Sequence, residues 1–305
     1  MTILLLGKNG QVGWQLQRAL APLGEVVALD RAGGGGAEGL CGNLEDLDGI
    51  AATVRALRPR AIVNAAAYTA VDKAESEREK AERINADAPA ALAREAAACG
   101  ALLLHYSTDY VFDGSGSAPW KEGDACAPLN AYGASKLAGE RAIQQSGCAH
   151  LIFRTSWVYA ARGANFARTM LRLAAEREQL TVIADQWGAP TGAELIADVS
   201  AHALAQTLTA PEKAGLYHLV AAGETNWLEY ARFVLECAAA QGAPIKAREV
   251  LPTTTGEWPS AARRPLNSRL DTSRLRRTFG LHLPPWQQGV ARAVSEMIST
   301  QGTKP

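Results

Sequence analysis

Tyr132 and Lys136 stand four residues apart in Tyr132-Gly133-Ala134-Ser135-Lys136, a spacing that sets both on one face of a helix. An unperturbed phenol titrates at about pH 10, too high to work well near neutrality. A neighbouring ammonium favours the phenolate and lowers that value, which is what a proton donor or acceptor needs. Such pairs also arise on ordinary exposed helix faces. Position argues for chemistry here. Upstream, His105-Tyr106-Ser107-Thr108-Asp109-Tyr110 reads as a strand ending in polar residues, where an open α/β sheet presents its ligand edge. There Thr108 can hold a carbonyl oxygen while Tyr132 gives it a proton.

A second constellation opens the chain. Gly7, Gly10 and Gly13 follow the apolar run Ile3-Leu4-Leu5-Leu6 and start a helix on which Val12, Leu16, Ala19 and Leu20 recur at helical spacing. A pyrophosphate needs exposed backbone N–H groups at a helix N-terminus, with no side chains in its way. The Gly-x-x-Gly-x-x-Gly spacing is one residue looser than the usual dinucleotide fingerprint, and a bare flexible turn is the plain alternative. Context favours the nucleotide, because a second strand, Val26 to Leu29, ends on an acid. Asp30 is placed to accept hydrogen bonds from an adenosine ribose, as NAD requires, whereas Arg31 can meet the 2′-phosphate of NADP. The pair leaves NADH and NADPH both open, and a solvated strand end is the plain alternative.

The elements that must position these residues alternate. Helix Asp46–Leu57 precedes strand Ala61–Val63, which runs into Asn64-Ala65-Ala66-Ala67. A long helix Glu75–Cys99, with Pro89 allowing a break or a second start, precedes strand Ala101–Tyr106. Helix Tyr132–Ser146 and strand His150–Phe153 complete a repeated βα pattern, which argues for a parallel sheet covered on both faces. Beyond Ser156 the rhythm weakens. Helices are expected at Asn165–Glu178, Glu194–Leu208 and Asn226–Ala240, with strands at Leu180–Ile183 and Leu216–Val220. Gly188–Gly192 is expected to be a turn, Gly33–Gly36 a flexible loop, and 252–274 an irregular, ligand-facing stretch. The expected division is a dinucleotide-binding region over 1–160, with a return segment near 193–220, and a smaller substrate-binding region over 161–305.

Composition narrows the function. Of 305 residues, 48% are hydrophobic and 20% charged, enough to bury a real core. Lys and Arg total 31, as do Asp and Glu, and this zero net charge argues against a nucleic-acid partner. No apolar run approaches a membrane span, and the run at the N-terminus is too short for a signal peptide. Cys41, Cys99, Cys126, Cys148 and Cys237 are scattered, without a Cys-x-x-Cys pair, as suits reduced thiols in a cytoplasmic protein. The five histidines show no metal-ligand spacing, so a zinc enzyme is not expected.

The order of Gly7-Gly10-Gly13, Asn64-Ala65-Ala66, Ser107-Thr108-Asp109 and Tyr132-Lys136 resembles the extended short-chain dehydrogenase/reductase superfamily. Within it, the stretches Asn64–Glu75, Ser107–Gly114, Arg154–Tyr159, Asp185–Thr191 and Arg264–Leu270 are similar to the dTDP-4-dehydrorhamnose reductases, and the likeness spans nearly the whole chain. The resemblance implies a Rossmann-type doubly wound parallel sheet with a smaller C-terminal substrate-binding domain. It implies NADH- or NADPH-dependent reduction of the C4 ketone of dTDP-6-deoxy-L-lyxo-4-hexulose to dTDP-L-rhamnose. Lys136 would then position the nicotinamide ribose and lower the tyrosine pKa, Tyr132 would protonate the sugar oxygen, and Thr108 would hydrogen-bond it. Gly10, Gln11 and Val12 would meet the pyrophosphate, and Asn43 and Leu44 the adenine. Ala65 and Ala66 belong to the same cofactor edge, and Ala67, Tyr68, Thr69 and Tyr106 would line the nicotinamide side. Asp109 and Trp157 would contact the sugar, Trp157 being equally readable as a core residue.

Three relatives share that framework. Sugar-nucleotide dehydratases carry Asp-Glu after the threonine, and this chain has Asp109-Tyr110 instead, so the second carboxylate that dehydration needs is missing. Epimerases usually carry small residues there, and Tyr110 would crowd a rotating sugar. A nucleotide-binding regulatory subunit is the non-catalytic alternative. Some members bridge a homodimer through magnesium held by glutamates. Here Gln15 stands where that arrangement expects a glutamate, with Glu194 and Glu296 as the remaining candidates. An amide is a poorer magnesium ligand than a carboxylate, so no metal site is assigned and the oligomeric state stays open.

Overall fold

The computed structural model describes residues 1–32 and 39–301. The loop expected at Gly33–Gly36 lies outside the described residues. In chain order the strands are β1 (Thr2–Leu6), β2 (Glu25–Leu29), β3 (Ala61–Asn64), β4 (Leu102–Thr108), β5 (His150–Thr155), β6 (Val158–Tyr159), β7 (Gln179–Ile183), β8 (Trp187–Gly188), β9 (Thr191–Gly192), β10 (Gly215–His218), β11 (Thr225–Asn226) and β12 (Glu249–Thr253). The helices are α1 (Gln11–Leu20), α2 (Leu47–Leu57), α3 (Val71–Ala74), α4 (Arg78–Glu82), α5 (Ala88–Cys99), α6 (Ala131–Gln145), α7 (Phe166–Glu176), α8 (Ala193–Thr209), α9 (Trp227–Ala239), α10 (Ser273–Phe279) and α11 (Trp286–Gln301).

Among the described residues six strands form one parallel sheet in the order β10-β5-β4-β3-β1-β2. Its inner strands are apolar because both faces are covered. Along β1 the side chains alternate between two cores. Ile3 and Leu5 pack with Leu16 and Leu20 of α1 and Ile196 and Leu204 of α8, while Leu4 and Leu6 pack with Ile50 and Val54 of α2 and Leu92 of α5. This α/β sandwich is Rossmann-like, as expected. The strand order reverses between β1 and β3, so the turns after those strands flank a crevice at the carboxyl ends, where such sheets hold ligands. A separate core joins α7, α9 and α11 to β7 and β12, around Met170, Leu180, Tyr230, Val234, Trp286 and Val294.

The segment expected as one helix from Glu75 to Cys99 is instead divided. It comprises α3, which begins earlier, then α4, a wide π turn over Arg83–Asp87, and α5. Pro89 is the cause: it has no N–H to offer the Asn85 carbonyl one turn back, and the turn opens there. Helix α6 fills the room so made, approaching so closely that a Cβ on Gly139 would lie 2.1 Å from the Asn85 oxygen. The turn expected at Gly188–Gly192 is present between the short β8 and β9. The irregular stretch from 252 to 274 is bounded by β12 and α10. Helices α10 and α11 were not expected, although Trp286, Val290, Val294 and Met297 recur at helical spacing on the buried face of α11. No helix among the described residues is long and apolar enough to cross a membrane, and all five cysteines are free thiols.

Candidate active site

Two cavities flank the carboxyl edge of the sheet. The smaller, about 270 Å³, lies over the crevice and is lined by Gly7, Gly10, Asp30, Arg31, Asn43, Leu44 and the run Ala66–Ala70, among others. Gly7, at φ 86°, turns the chain sharply, and a Cβ there would lie 2.7 Å from the Ala66 nitrogen. Gly13 is as constrained, since its Cβ would meet the Gly7 oxygen at 2.0 Å. Helix α1 therefore begins tight against the loop, with no acid in its first turn and no side chain capping its amides. Those unpaired N–H groups and the bare Cα of Gly10 at the cavity wall fit the phosphates of a dinucleotide. Gln11, Val12, Gly13 and Ala65 support this cavity rather than line it; Gln11 accepts a hydrogen bond from Asn165 at 3.0 Å, and Val12 packs in the core.

Strand β4 and helix α6 carry the chemical groups. Asn130 caps α6 by accepting from the Gly133 N–H at 2.8 Å, and its amide donates to the Arg263 carbonyl. Gly133 lets the helix lie against the Thr108–Tyr110 turn: a Cβ there would be 2.2 Å from the Tyr110 oxygen. This approach puts the Tyr132 hydroxyl in hydrogen-bond contact with Thr108. The Thr108 hydroxyl in turn donates to Asp109 at 3.1 Å, and Ser268 bonds the same carboxyl. One turn along α6, Lys136 is buried. Its Nζ donates to the Tyr106 carbonyl at 2.6 Å and lies 3.2 Å from His105 Nε2. The other ring nitrogen of His105 lies 3.2 Å from the Asn64 amide.

The lysine does not lower the tyrosine pKa in this arrangement. Tyr132 is pushed up to about 12, chiefly by burial, with the Thr108 hydrogen bond opposing and the Asp109 charge adding. Its ammonium is turned towards Tyr106 and His105 instead, and burial lowers its own value to about 8 against the pull of Glu140. The phenol is consequently held in the proton-donating form across the neutral range.

Asp109 is the other displaced group. Burial raises its carboxyl to about 7, with hydrogen bonds from Ser268 and Thr108 opposing, and Oδ2 has no partner among the described residues. Folding therefore favours the protonated acid. Its contribution is whole below the ordinary value of 3.8 and is lost as pH rises towards about 7. We expect the stability of the wild type relative to Asp109→Asn to fall between about pH 4 and pH 7, whatever the other titrating groups add to both proteins. Urea midpoints across the interval check this; an unchanged slope in the variant would refute it.

The larger cavity, about 550 Å³, adjoins this centre through Tyr110, whose ring meets that of Tyr132 edge-on at 5.8 Å. Phe166, Met170, Leu180 and Trp227 give it apolar walls, and Arg177 and Arg264 give it cations. Arg264 bonds both the Tyr110 hydroxyl and Asp72, the latter at 2.7 Å. Trp157 stacks on Trp227 at 3.7 Å, and its positive φ of 49° is costly for a side chain of its size. Tyr106 reaches the site only through its carbonyl; its ring lies near Phe153 and its hydroxyl pairs with Ser200 at 2.7 Å.

A family model described as the RmlD substrate binding domain matches residues 1–299. The chain belongs to this family. It is 56% identical over 300 residues to the dTDP-4-dehydrorhamnose reductase of Escherichia coli strain K12, covering 98% of this chain and 99% of that protein. The reductase of Burkholderia thailandensis is 47% identical over 98% of this chain and 100% of its own length. Among solved structures, the dTDP-4-dehydrorhamnose reductase of Bacillus anthracis in complex with NADP superposes with a TM-score of 0.85. It is 35% identical, over 97% of this chain and 99% of that one.

In this RmlD-family chain several positioning residues escape a reading of motifs. Asn85, wholly buried in the π turn, holds the Tyr68 backbone through both ends of its amide, at 2.9 and 3.0 Å, and donates to Ser135 on α6. Glu75 accepts the Ala131 N–H at 2.7 Å and so seats the start of α6. A buried amide inside an Ala-rich helical stretch was the one available signal for Asn85. The resemblance raised Glu194 and Glu296 as candidate magnesium ligands between two subunits. Glu194 and Glu296 lie 3.5 and 3.4 Å from the Arg292 guanidinium, so a cation of the chain itself stands with them. Among the described residues no group of three or more His, Cys, Asp or Glu is arranged to hold a metal.

Proposed function

We propose that this chain is a dTDP-4-dehydrorhamnose reductase, reducing the C4 ketone of dTDP-6-deoxy-L-lyxo-4-hexulose to dTDP-L-rhamnose with NADPH. The observation that carries the reading is the protonated Tyr132 hydroxyl held against Thr108, between a glycine-lined cavity and a larger cationic one. Full-length likeness to reductases of that name supports the substrate, and the NADP complex of a structural neighbour supports the cofactor.

When bound, the nicotinamide cofactor supplies the hydride. The chain does the rest. Gly7, Gly10 and the amides of α1 receive the pyrophosphate, Asp30 and Arg31 the adenosine ribose, and Asn43 and Leu44 the adenine. Ala66, Ala67, Tyr68 and Thr69 wall the path towards Lys136, which anchors the nicotinamide ribose. Thr108 hydrogen-bonds the ketone oxygen and Tyr132 donates the proton that oxygen needs as it becomes an alkoxide. Asp109, raised by burial so that it is protonated in part near neutrality, offers the sugar a donor, and Trp157 offers an apolar wall. Arg264 and Arg177 are placed to meet the diphosphate of the sugar nucleotide. Residues 1–160 with the 193–220 return thus hold the cofactor, and the remainder handles the sugar nucleotide. Dehydration is disfavoured by position 110, where a tyrosine raised by burial cannot serve as the carboxylate base.

The test follows reduced-nicotinamide absorbance while a dehydratase and a 3,5-epimerase generate the ketose from dTDP-glucose, with NADPH and NADH tried separately. Turnover with NADPH is expected. A folded protein that binds nucleotide yet turns over with neither cofactor would transfer the assignment to another sugar nucleotide or to a regulatory subunit.

A further inference from the structure

Asn64 and His105 stand opposite each other in the register of β3 and β4, both buried, and Lys136 closes the row from α6. The Asn64 amide is fixed at one end. Its Oδ1 accepts the Ala66 N–H at 3.2 Å, so its Nδ2 is the atom that lies 3.2 Å from His105 Nδ1. An amide nitrogen only donates. His105 Nδ1 must therefore accept, and the proton of the neutral ring lies on Nε2. An imidazolium, protonated on both nitrogens, would set one donor against another at Asn64. Burial and the charge of Lys136 also hold the ring well below its ordinary value, in the neutral form.

The Nε2–H then faces Lys136 Nζ at 3.2 Å, while Nζ itself donates to the Tyr106 carbonyl at 2.6 Å. An ammonium has three donors and no acceptor, so it would meet this N–H with one of its own. The amine has a lone pair and satisfies both neighbours, accepting from His105 and donating to Tyr106. To welcome the ammonium, the ring must carry its proton on Nδ1 and the Asn64 amide must turn over. The Ala66 N–H, at the wall of the smaller cavity, would then face an amide NH2. Among the described residues the charge acting on His105 is Lys136, and the charge acting on Lys136 is Glu140. From β5, apolar Ile152 flanks the ring. Tyr132 and Asp109, the other titratable groups of the centre, both bond Thr108, and Tyr106 turns its hydroxyl away to Ser200. We propose that His105 is a positioning residue for Lys136: its Nε2–H takes the lone pair of the amine and so sets the pH at which this lysine becomes charged. With Lys136 as the anchor of the nicotinamide ribose, His105 also sets the upper pH limit of nucleotide binding, a consequence that rests on the reductase reading above.

Nuclear magnetic resonance of the full chain, with nitrogen-15 in its histidines and carbon-13 in its lysines, tests this without substrate. Lys136→Met and His105→Asn identify the two signals. In the unliganded protein His105 should show its proton on Nε2 from about pH 6 to about pH 9. His105→Asn keeps an acceptor where Nδ1 stood and removes the Nε2 donor. Lys136 should then hold its proton about tenfold more tightly, and the alkaline limb of NADPH binding should move up with it. His105→Gln returns an amide N–H to the place of Nε2 and should bring both readings back to within about threefold of the original. A proton on Nδ1 of the unaltered protein, an unmoved Lys136 titration in His105→Asn, or the same shift in both variants would overturn the proposal. Should the variants fail to fold, the tautomer of the unaltered protein decides alone. A chain that shows the Nε2 proton yet reduces no ketose keeps the proposal and loses the reductase reading; an active reductase with the proton on Nδ1 does the reverse.

Discussion

Tyr132→Phe should lower kcat by about a thousandfold while leaving the NADPH dissociation constant within about twofold of the original. The substitution removes one oxygen and nothing else that the fold uses. The phenyl ring keeps its edge-on contact with Tyr110 at 5.8 Å, and α6 keeps its Asn130 cap. Thr108 remains, but a threonine hydroxyl is too weak an acid to protonate an alkoxide as it forms. The loss should therefore appear in kcat and not in binding, as expected for an interaction made in the transition state. Because burial holds Tyr132 at about 12, its own ionisation should not appear as a falling limb below about pH 10. Single-turnover rates with the ketose, beside nucleotide titration, separate the two quantities. Near-normal turnover in the variant would mean that water or Asp109 supplies the proton.

What could be read from the chain was local. The run from Ile3 through the glycine turn to Asp30 encodes strand, turn, helix and strand within one short stretch, and periodicity with glycine placement suffices to see it. Tyr132 and Lys136 were legible for the same reason, being one helical turn apart. The environment of each group was not, because it comes from distant segments. The seat of α6 depends on Glu75 and on the Arg263 carbonyl. The Asp109 carboxyl is buried against Ser268, and Lys136 on α6 turns to His105 on β4. Spacing gave the pair as ammonium beside phenol; in three dimensions the ammonium donates to the Tyr106 carbonyl, and burial of the phenol raises its value instead of lowering it. Tyr106 shows the limit on strands. Alternation gives its ring and its carbonyl opposite duties, and only the carbonyl faces Lys136. The short β6, β8, β9 and β11 contain too few residues for any period to register.

Glu140→Gln should cost about 3–5 kcal/mol of folding stability, a large loss for a residue outside the two cavities of the candidate site. Glu140 and Arg154 form a two-pronged ion pair, at 2.9 and 2.6 Å, between α6 and β5, with side chains only 1% and 4% exposed. The amide can accept one of the two bonds but cannot balance the guanidinium. Arg154 has little else to turn to. Its Nη1 is already buried without a partner among the described residues, and its other neighbours are the Cys126 sulfur at 3.3 Å and the Phe112 ring at 5.0 Å. Buried His218 is itself driven down to about 3 by burial and by the Arg154 charge, so it offers no relief. Replacing both partners, as Glu140→Met with Arg154→Met, should recover much of the loss, because a buried pair exchanged for apolar side chains leaves no stranded charge. The pair also reaches the chemistry. Glu140 lies one turn beyond Lys136 and raises its affinity for the proton against burial. Glu140→Gln should therefore move the Lys136 ionisation further below about 8 and shift the alkaline limb of nucleotide binding to lower pH. Denaturant midpoints with unchanged slope report the stability, and titrations across pH report the lysine. A loss below about 1 kcal/mol would show that the pair is worth no more than a solvated one. A fixed alkaline limb would show that Glu140 braces the helix without reaching its lysine.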